Sequence, residues 1–171
     1  LLGVKLASAP SNVQKLYDEF PVLRSPVEWA FRWLGNNPEI MTILSGCNEP
    51  EQIEDNLKIF DTVEAGVMTE EETDLIMKVK DAYNSRTKIG CTGCRYCMPC
   101  PGGVDIPRTF ASWNDFGLYG GNPKYNWNVM ELKRLGQTPE KCLSCGACEK
   151  ACPQHLEIIQ GLKDAWCDLN V

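Results

Sequence analysis

Eight of the chain's ten cysteines fall in two runs, and each run ends in Cys-Pro. The first is Cys91-Thr-Gly-Cys94-Arg-Tyr-Cys97-Met-Pro-Cys100-Pro101. The second is Cys142-Leu-Ser-Cys145-Gly-Ala-Cys148-Glu-Lys-Ala-Cys152-Pro153. Thiolates at i, i+3 and i+6 can wrap one compact inorganic core. A fourth, one helical turn further on, faces away from those three. The second run has the full C-x2-C-x2-C-x3-C-P spacing of [4Fe–4S] ligation, in which the fourth cysteine serves the other cluster of a pair. The expected ligand sets are therefore Cys91, Cys94 and Cys97 with Cys152, and Cys142, Cys145 and Cys148 with Cys100. The first run departs from this spacing, with two residues rather than three between Cys97 and Cys100. That departure bears on the exchange at Cys100.

Structural zinc is the plain alternative. Zinc wants four ligands in a tetrahedron, usually two C-x2-C pairs well apart in sequence. It leaves unexplained the third cysteine after each pair and the proline after each fourth. Disulfides fit less well, because nothing else suggests secretion and such spacing in a cytosolic protein more often means metal. With 23 carboxylates against 17 Lys and Arg the 171-residue chain is acidic, which argues against a nucleic-acid footprint. No apolar run approaches the ~18 residues of a membrane span. A reducing, cytoplasmic location is expected. The chain begins Leu1-Leu2-Gly3, so its start is expected to be a cut.

The surrounding sequence must position these thiols. A loop is expected over 1–10, then a short helix over Asn12–Phe20 capped by Ser11. Ser25-Pro26-Val27-Glu28 reads as a capping box for a helix over Pro26–Leu34. Ile40–Leu44 is short, apolar and partly β-branched, the pattern of a buried strand. Pro50 starts a further helix with Ile53, Leu57 and Phe60 as its apolar stripe. Thr69-Glu70-Glu71-Glu72 is a second capping box, opening a helix to about Tyr83 with Leu75, Ile76, Val79 and Ala82 inward. Asn84–Gly90 is a polar linker. Beyond it Pro107–Phe116, Trp127–Leu135 and Leu156–Leu169 look helical, with no alternating strand pattern. Two clusters held by helices are expected, rather than a β-hairpin ferredoxin fold.

These residues resemble a known family. Cys91 to Pro101, followed by Gly103-Val104-Asp105-Ile106-Pro107, resembles the C-terminal ferredoxin module of iron–sulfur aldo-keto reductases, as does Cys152-Pro153-Gln154-His155. Ser25 to Trp33 resembles the seventh barrel helix of an aldo-keto reductase, Ile43-Leu44-Ser45-Gly46 its eighth strand, and Pro50 to Leu57 its eighth helix. The resemblance implies a mainly α chain. Residues 1–66 would be the last βα units of a (β/α)8 barrel, 67–90 a connecting helix and linker, and 91–171 a helical two-cluster domain. The family's catalytic Asp, Tyr, Lys and His come from strands that would lie upstream of Leu1, so no catalytic residue is assigned and the chain reads as a fragment. The resemblance also implies that Gly46, Cys47, Asn48, Gln52 and Asn56 touch the adenine and phosphate end of a nicotinamide cofactor, NAD or NADP, in a full-length protein. The plainer reading has Asn48 capping its helix, with Gln52 and Asn56 on the surface.

Cys47 and Cys167 are expected as small buried hydrophobes. The five tryptophans, Trp29, Trp33, Trp113, Trp127 and Trp166, are expected in the core, His155 as structural, and Met68, Met77 and Met130 as filler. Three functions remain. The chain is an electron-transfer part of an aldo-keto reductase-like oxidoreductase, a stand-alone ferredoxin-like carrier, or a structural zinc module. The expected partners are a redox protein or the missing barrel, with self-association through Ile40–Leu44 if that strand has lost its neighbours.

Overall fold

The computed structural model describes residues 5–171. Its backbone divides into two compact units, with the division between Ser85 and Arg86. Among the described residues every regular element is helical, and no helix is long and apolar enough to cross a membrane. Of the loop expected over 1–10, residues 1–4 lie outside the described residues, and Lys5–Ala7 forms a single 3-10 turn.

The first unit holds α1 (Ser11–Asp18), α2 (Pro26–Gly35), α3 (Pro50–Phe60) and α4 (Glu70–Asn84). Two of the three expected caps form; the one expected at Ser11 does not, because Ser11 is already the first residue of α1 and Pro10 before it makes no side-chain cap bond. At Ser25 only the serine half of the box is present. Ser25 Oγ accepts the Glu28 N–H at 3.1 Å. The Thr69 hydroxyl accepts from Glu72 N–H (3.2 Å) while the Glu72 carboxylate accepts from Thr69 N–H (3.1 Å), which satisfies orphan amides at both helix starts. Val13 and Tyr17 of α1, Trp29 of α2, and Leu75 and Val79 of α4 bury one another. The helix expected to connect two domains is thus a wall of this core. Arg24 spans its edge, stacked 4.5 Å from the Trp29 ring centroid and 2.6 Å from the Glu72 carboxylate.

Burial pushes the Tyr17 phenol from 10.0 up to about 12, with the nearby Tyr83 as a second cause. The folded state holds this proton more tightly than the unfolded chain does. The stabilisation is therefore complete below pH 10 and lost as pH rises from 10 to about 12, worth up to roughly 3 kcal/mol at about 1.36 kcal/mol per unit. Denaturant midpoints measured across this range should fall more steeply for the wild type than for Tyr17→Phe. Parallel curves would show that the phenol is not responsible.

Three expectations for this unit fail. Ile40–Leu44 is not a strand: it forms no regular element, and Met41 and Leu44 are 96% and 89% exposed. A strand exists only through backbone bonds to a neighbour, and the described residues supply none. The helix–strand–helix rhythm of a barrel is therefore absent. The α3 stripe also fails: Ile53, Leu57 and Phe60 are exposed and Ile59 is buried instead. A stripe made to lie on a sheet has no sheet here. Finally, Trp33 is exposed, as is Trp127 in the second unit.

The second unit holds α5 (Ile106–Tyr119), α6 (Trp127–Leu135), α7 (Ala147–Ala151) and α8 (Ile158–Leu169). Asp105 caps α5, its carboxylate accepting the Arg108 N–H at 3.2 Å. Asn126 caps α6, which ends in the left-handed Gly136. Phe110 and Trp113 of α5 pack against Ile158, Leu162, Ala165, Trp166 and Leu169 of α8. At Gly161 a Cβ would press on the Phe110 ring, so glycine lets the two helices approach. Trp113 Nε1–H donates to Asp168 at 2.8 Å, and Lys88 lies 3.3 Å from the same carboxylate. The indole N–H first, then Lys88, hold the Asp168 carboxyl below its ordinary range. Half-buried Cys91, Cys97, Cys100, Cys142, Cys148 and Cys152 all pack on this core.

Candidate metal centre

The eight run cysteines border two neighbouring cavities on the α5–α8 core. Cys91, Cys94, Cys97 and Cys152 line one. Cys97, Cys100, Cys142, Cys145 and Cys148 line the other. The first cavity thus draws three cysteines from one run and one from the other, and the second draws three from the second run with Cys97 and Cys100 from the first. Ile106, the first residue of α5, lines both and stands between them. All eight thiols are free, with Cys94 and Cys145 exposed. Burial pushes the Cys97 thiol up, opposed by its own backbone N–H, with Cys91, Cys94 and Cys152 raising it further through their charge. Burial likewise pushes Cys148 up, with Glu149 and Cys142 adding to it.

The runs fold as two copies of one loop. The residue before each second cysteine is left-handed, Gly93 at φ 69° and Ser144 at φ 52°. So is the residue after it, Arg95 at φ 67° and Gly146 at φ 72°. Left-handed residues in such turns are where backbone N–H groups form concave sites for anions. Ser144 and Arg95 adopt it at a cost on the order of 1 kcal/mol each, which glycine avoids. Between the runs, Gly102 packs on the 3-10 turn Pro139–Lys141 that leads into the second. A Cβ at Gly102 would collide with the Lys141 carbonyl oxygen and touch Leu143. That contact brings Cys100 beside Cys142.

Residues 90–157 match a family model described as a 4Fe-4S dicluster domain. The segment is an iron–sulfur domain of the ferredoxin type. Among curated proteins and among solved structures no match is found.

Two side chains secure the ferredoxin-type domain's loops, and sequence reasoning missed both. Asn114 of α5 treats the chain ahead of Cys91 as a strand partner. Its Oδ1 accepts the Lys88 and Ile89 N–H groups (3.0 Å each), and its Nδ2–H donates to the Ile89 carbonyl at 2.8 Å. Glu149 of α7 accepts the Ile159 N–H at 2.8 Å, satisfying an amide at the start of α8, where Glu157 makes no cap bond. An Asn in mid-helix or a Glu between two cysteines carries no local signal of such long-range bonds.

The nucleotide candidates lie in the first unit, at the loop before α3. Gly46 and Gln52 are exposed and Cys47 is half-buried. Their polar groups bond to one another: Asn48 N–H donates to Gln52 Oε1 (3.2 Å), and Asn56 Nδ2–H to Ser45 Oγ (3.0 Å). Asn48 does not cap α3, because Glu49 holds the cap position without a side-chain bond. Cys167 is exposed, against expectation, because the buried face of α8 runs through 158, 162, 165 and 169. His155 is exposed at φ 50°.

Proposed function

We propose that the ferredoxin-type domain holds two [4Fe–4S] clusters, one in each cysteine-lined cavity, and passes single electrons to or from a redox partner. The observation that carries this is the exchange of fourth cysteines: Cys152 borders the cavity of Cys91, Cys94 and Cys97, and Cys100 that of Cys142, Cys145 and Cys148. The donor set fits. Cysteines are the only metal-ligating side chains bordering either cavity, with no His, Asp or Glu among the lining residues, as sulfur-ligated clusters require.

The clusters supply one-electron chemistry. The protein's residues supply the rest. The eight cysteines would ligate, and the α5–α8 core, on which six of them pack, excludes water from one side. Ile106 and Cys97, bordering both cavities, keep the two centres adjacent.

Anaerobic iron and acid-labile sulfide analysis tests this reading. About eight of each per chain are expected from two four-iron cores. Stoichiometric zinc without sulfide would overturn it.

A stand-alone carrier and a part of an aldo-keto reductase-like oxidoreductase both accommodate such a domain. The second rests on the sequence resemblance alone, since Ile40–Leu44 forms no strand. On it, the partner of the first unit is the remainder of a barrel or a second copy of the chain, met by exposed Met41 and Leu44.

A further inference from the structure

The two loops are alike in backbone and unlike in charge. At the position after the second cysteine, one run carries Arg95 and the other Gly146, both left-handed. Arg95 therefore bears a strain that glycine would remove at no loss of loop shape. A residue held in a sparsely populated conformation points to a use for its side chain. Arg95 borders the cavity of Cys91, Cys94, Cys97 and Cys152, and is the one basic or acidic residue among those lining it. Among the described residues its guanidinium has no hydrogen-bond or ion-pair partner. The second cavity has no charged side chain among its lining residues.

Resting on the two-cluster reading, we infer that Arg95 makes the two centres unequal, so that the core held by Cys91, Cys94, Cys97 and Cys152 has the higher reduction potential. A fixed positive charge beside a core that becomes more negative on reduction favours the reduced form. With clusters bound, a single electron shared by the pair would rest preferentially on the core held by Cys91, Cys94, Cys97 and Cys152 rather than on that held by Cys142, Cys145, Cys148 and Cys100. No bond is made or broken and no proton moves. Arg95 acts through the cluster and not on any substrate, so it is a positioning charge. Because Arg95 is exposed, salt must weaken its effect.

The test is an EPR-monitored redox titration of the anaerobically purified chain, with iron and sulfide measured first. Two one-electron waves are expected. Arg95→Gln keeps the Cβ and removes the charge. It should lower only the upper wave, by about threefold to tenfold in the reduction equilibrium, about 30–60 mV at 59 mV per tenfold. Arg95→Lys should restore most of the gap, and high salt should narrow it in the wild type but not in Arg95→Gln. A single wave in protein with full iron, a shift of the lower wave or of neither, or an Arg95→Lys variant behaving as Arg95→Gln would each overturn the inference while leaving the two-cluster reading intact. Protein that binds no iron would overturn both.

Discussion

Stripping the iron by anaerobic chelation is expected to abolish amide protection across residues 91–155 while α1, α2 and α4 keep theirs. The physical reason lies in how little else holds the ligand loops. Residues 91–105 contain no helix, and α7 is only five residues long. Their order rests on a few turn bonds, on Asn114 and Glu149, and on the cysteines. Metal binding energy is folding energy in small metal domains, about 10–16 kcal/mol apparent for structural zinc, against a total stability of about 5–15 kcal/mol for a typical domain. The loss should spread into α5 and α8, because half-buried cysteines form part of that core. The first unit has its own core of Val13, Tyr17, Trp29, Leu75 and Val79, so it should persist. Hydrogen exchange with and without chelator decides the matter. Unchanged protection across 100–142 would show that the helices alone hold the domain.

Gly102→Ala should cost the protein about half its iron. Gly102 does not require an unusual backbone; it requires the absence of a side chain, since any Cβ meets the Lys141 carbonyl. Overpacking of this kind typically costs about 1–3 kcal/mol, and the relief is for the 100–103 turn to back away from 141–143. That movement takes Cys100 from the quartet of Cys142, Cys145 and Cys148, and leaves Cys91, Cys94, Cys97 and Cys152 in place. The neighbouring Gly103→Ala is the control. It sits at φ 76° with open space around its Cβ, so it should cost on the order of 1 kcal/mol of backbone strain and keep its iron. Iron per chain for both variants, with thermal midpoints, tests the pair. Full iron in Gly102→Ala would show that Cys100 does not depend on this contact.

Much of this was readable in order along the chain. Cysteine spacing is set by the few ångströms over which neighbouring thiols can share one core, so it survives without knowledge of the fold. The caps at Ser25 and at Thr69 with Glu72 are equally local, each a bond across three residues. Helices α2, α4, α6 and α8 follow from periodicity and those caps. Local reading failed where the outcome depended on something distant. Ile40–Leu44 has the composition of a strand, but a strand is made by its neighbours, and without them the segment lies in solvent. Ile53, Leu57 and Phe60 make an apolar stripe whose burial needs an opposing surface. Trp33, Trp127 and Cys167 sit on helices whose inward face is chosen by the partner helix. Only the tertiary structure placed Asn114 against residues 88–89, Glu149 against α8 and Gly102 against Lys141. Those contacts span 10 to 39 residues of sequence, and their geometry is decided by how α5 and α8 pack. The sequence by itself determined which atoms are available to hold metal. The packing of two helices around Phe110 and Gly161 decided which of those atoms stand together, because every run cysteine but Cys148 of α7 lies outside the helices.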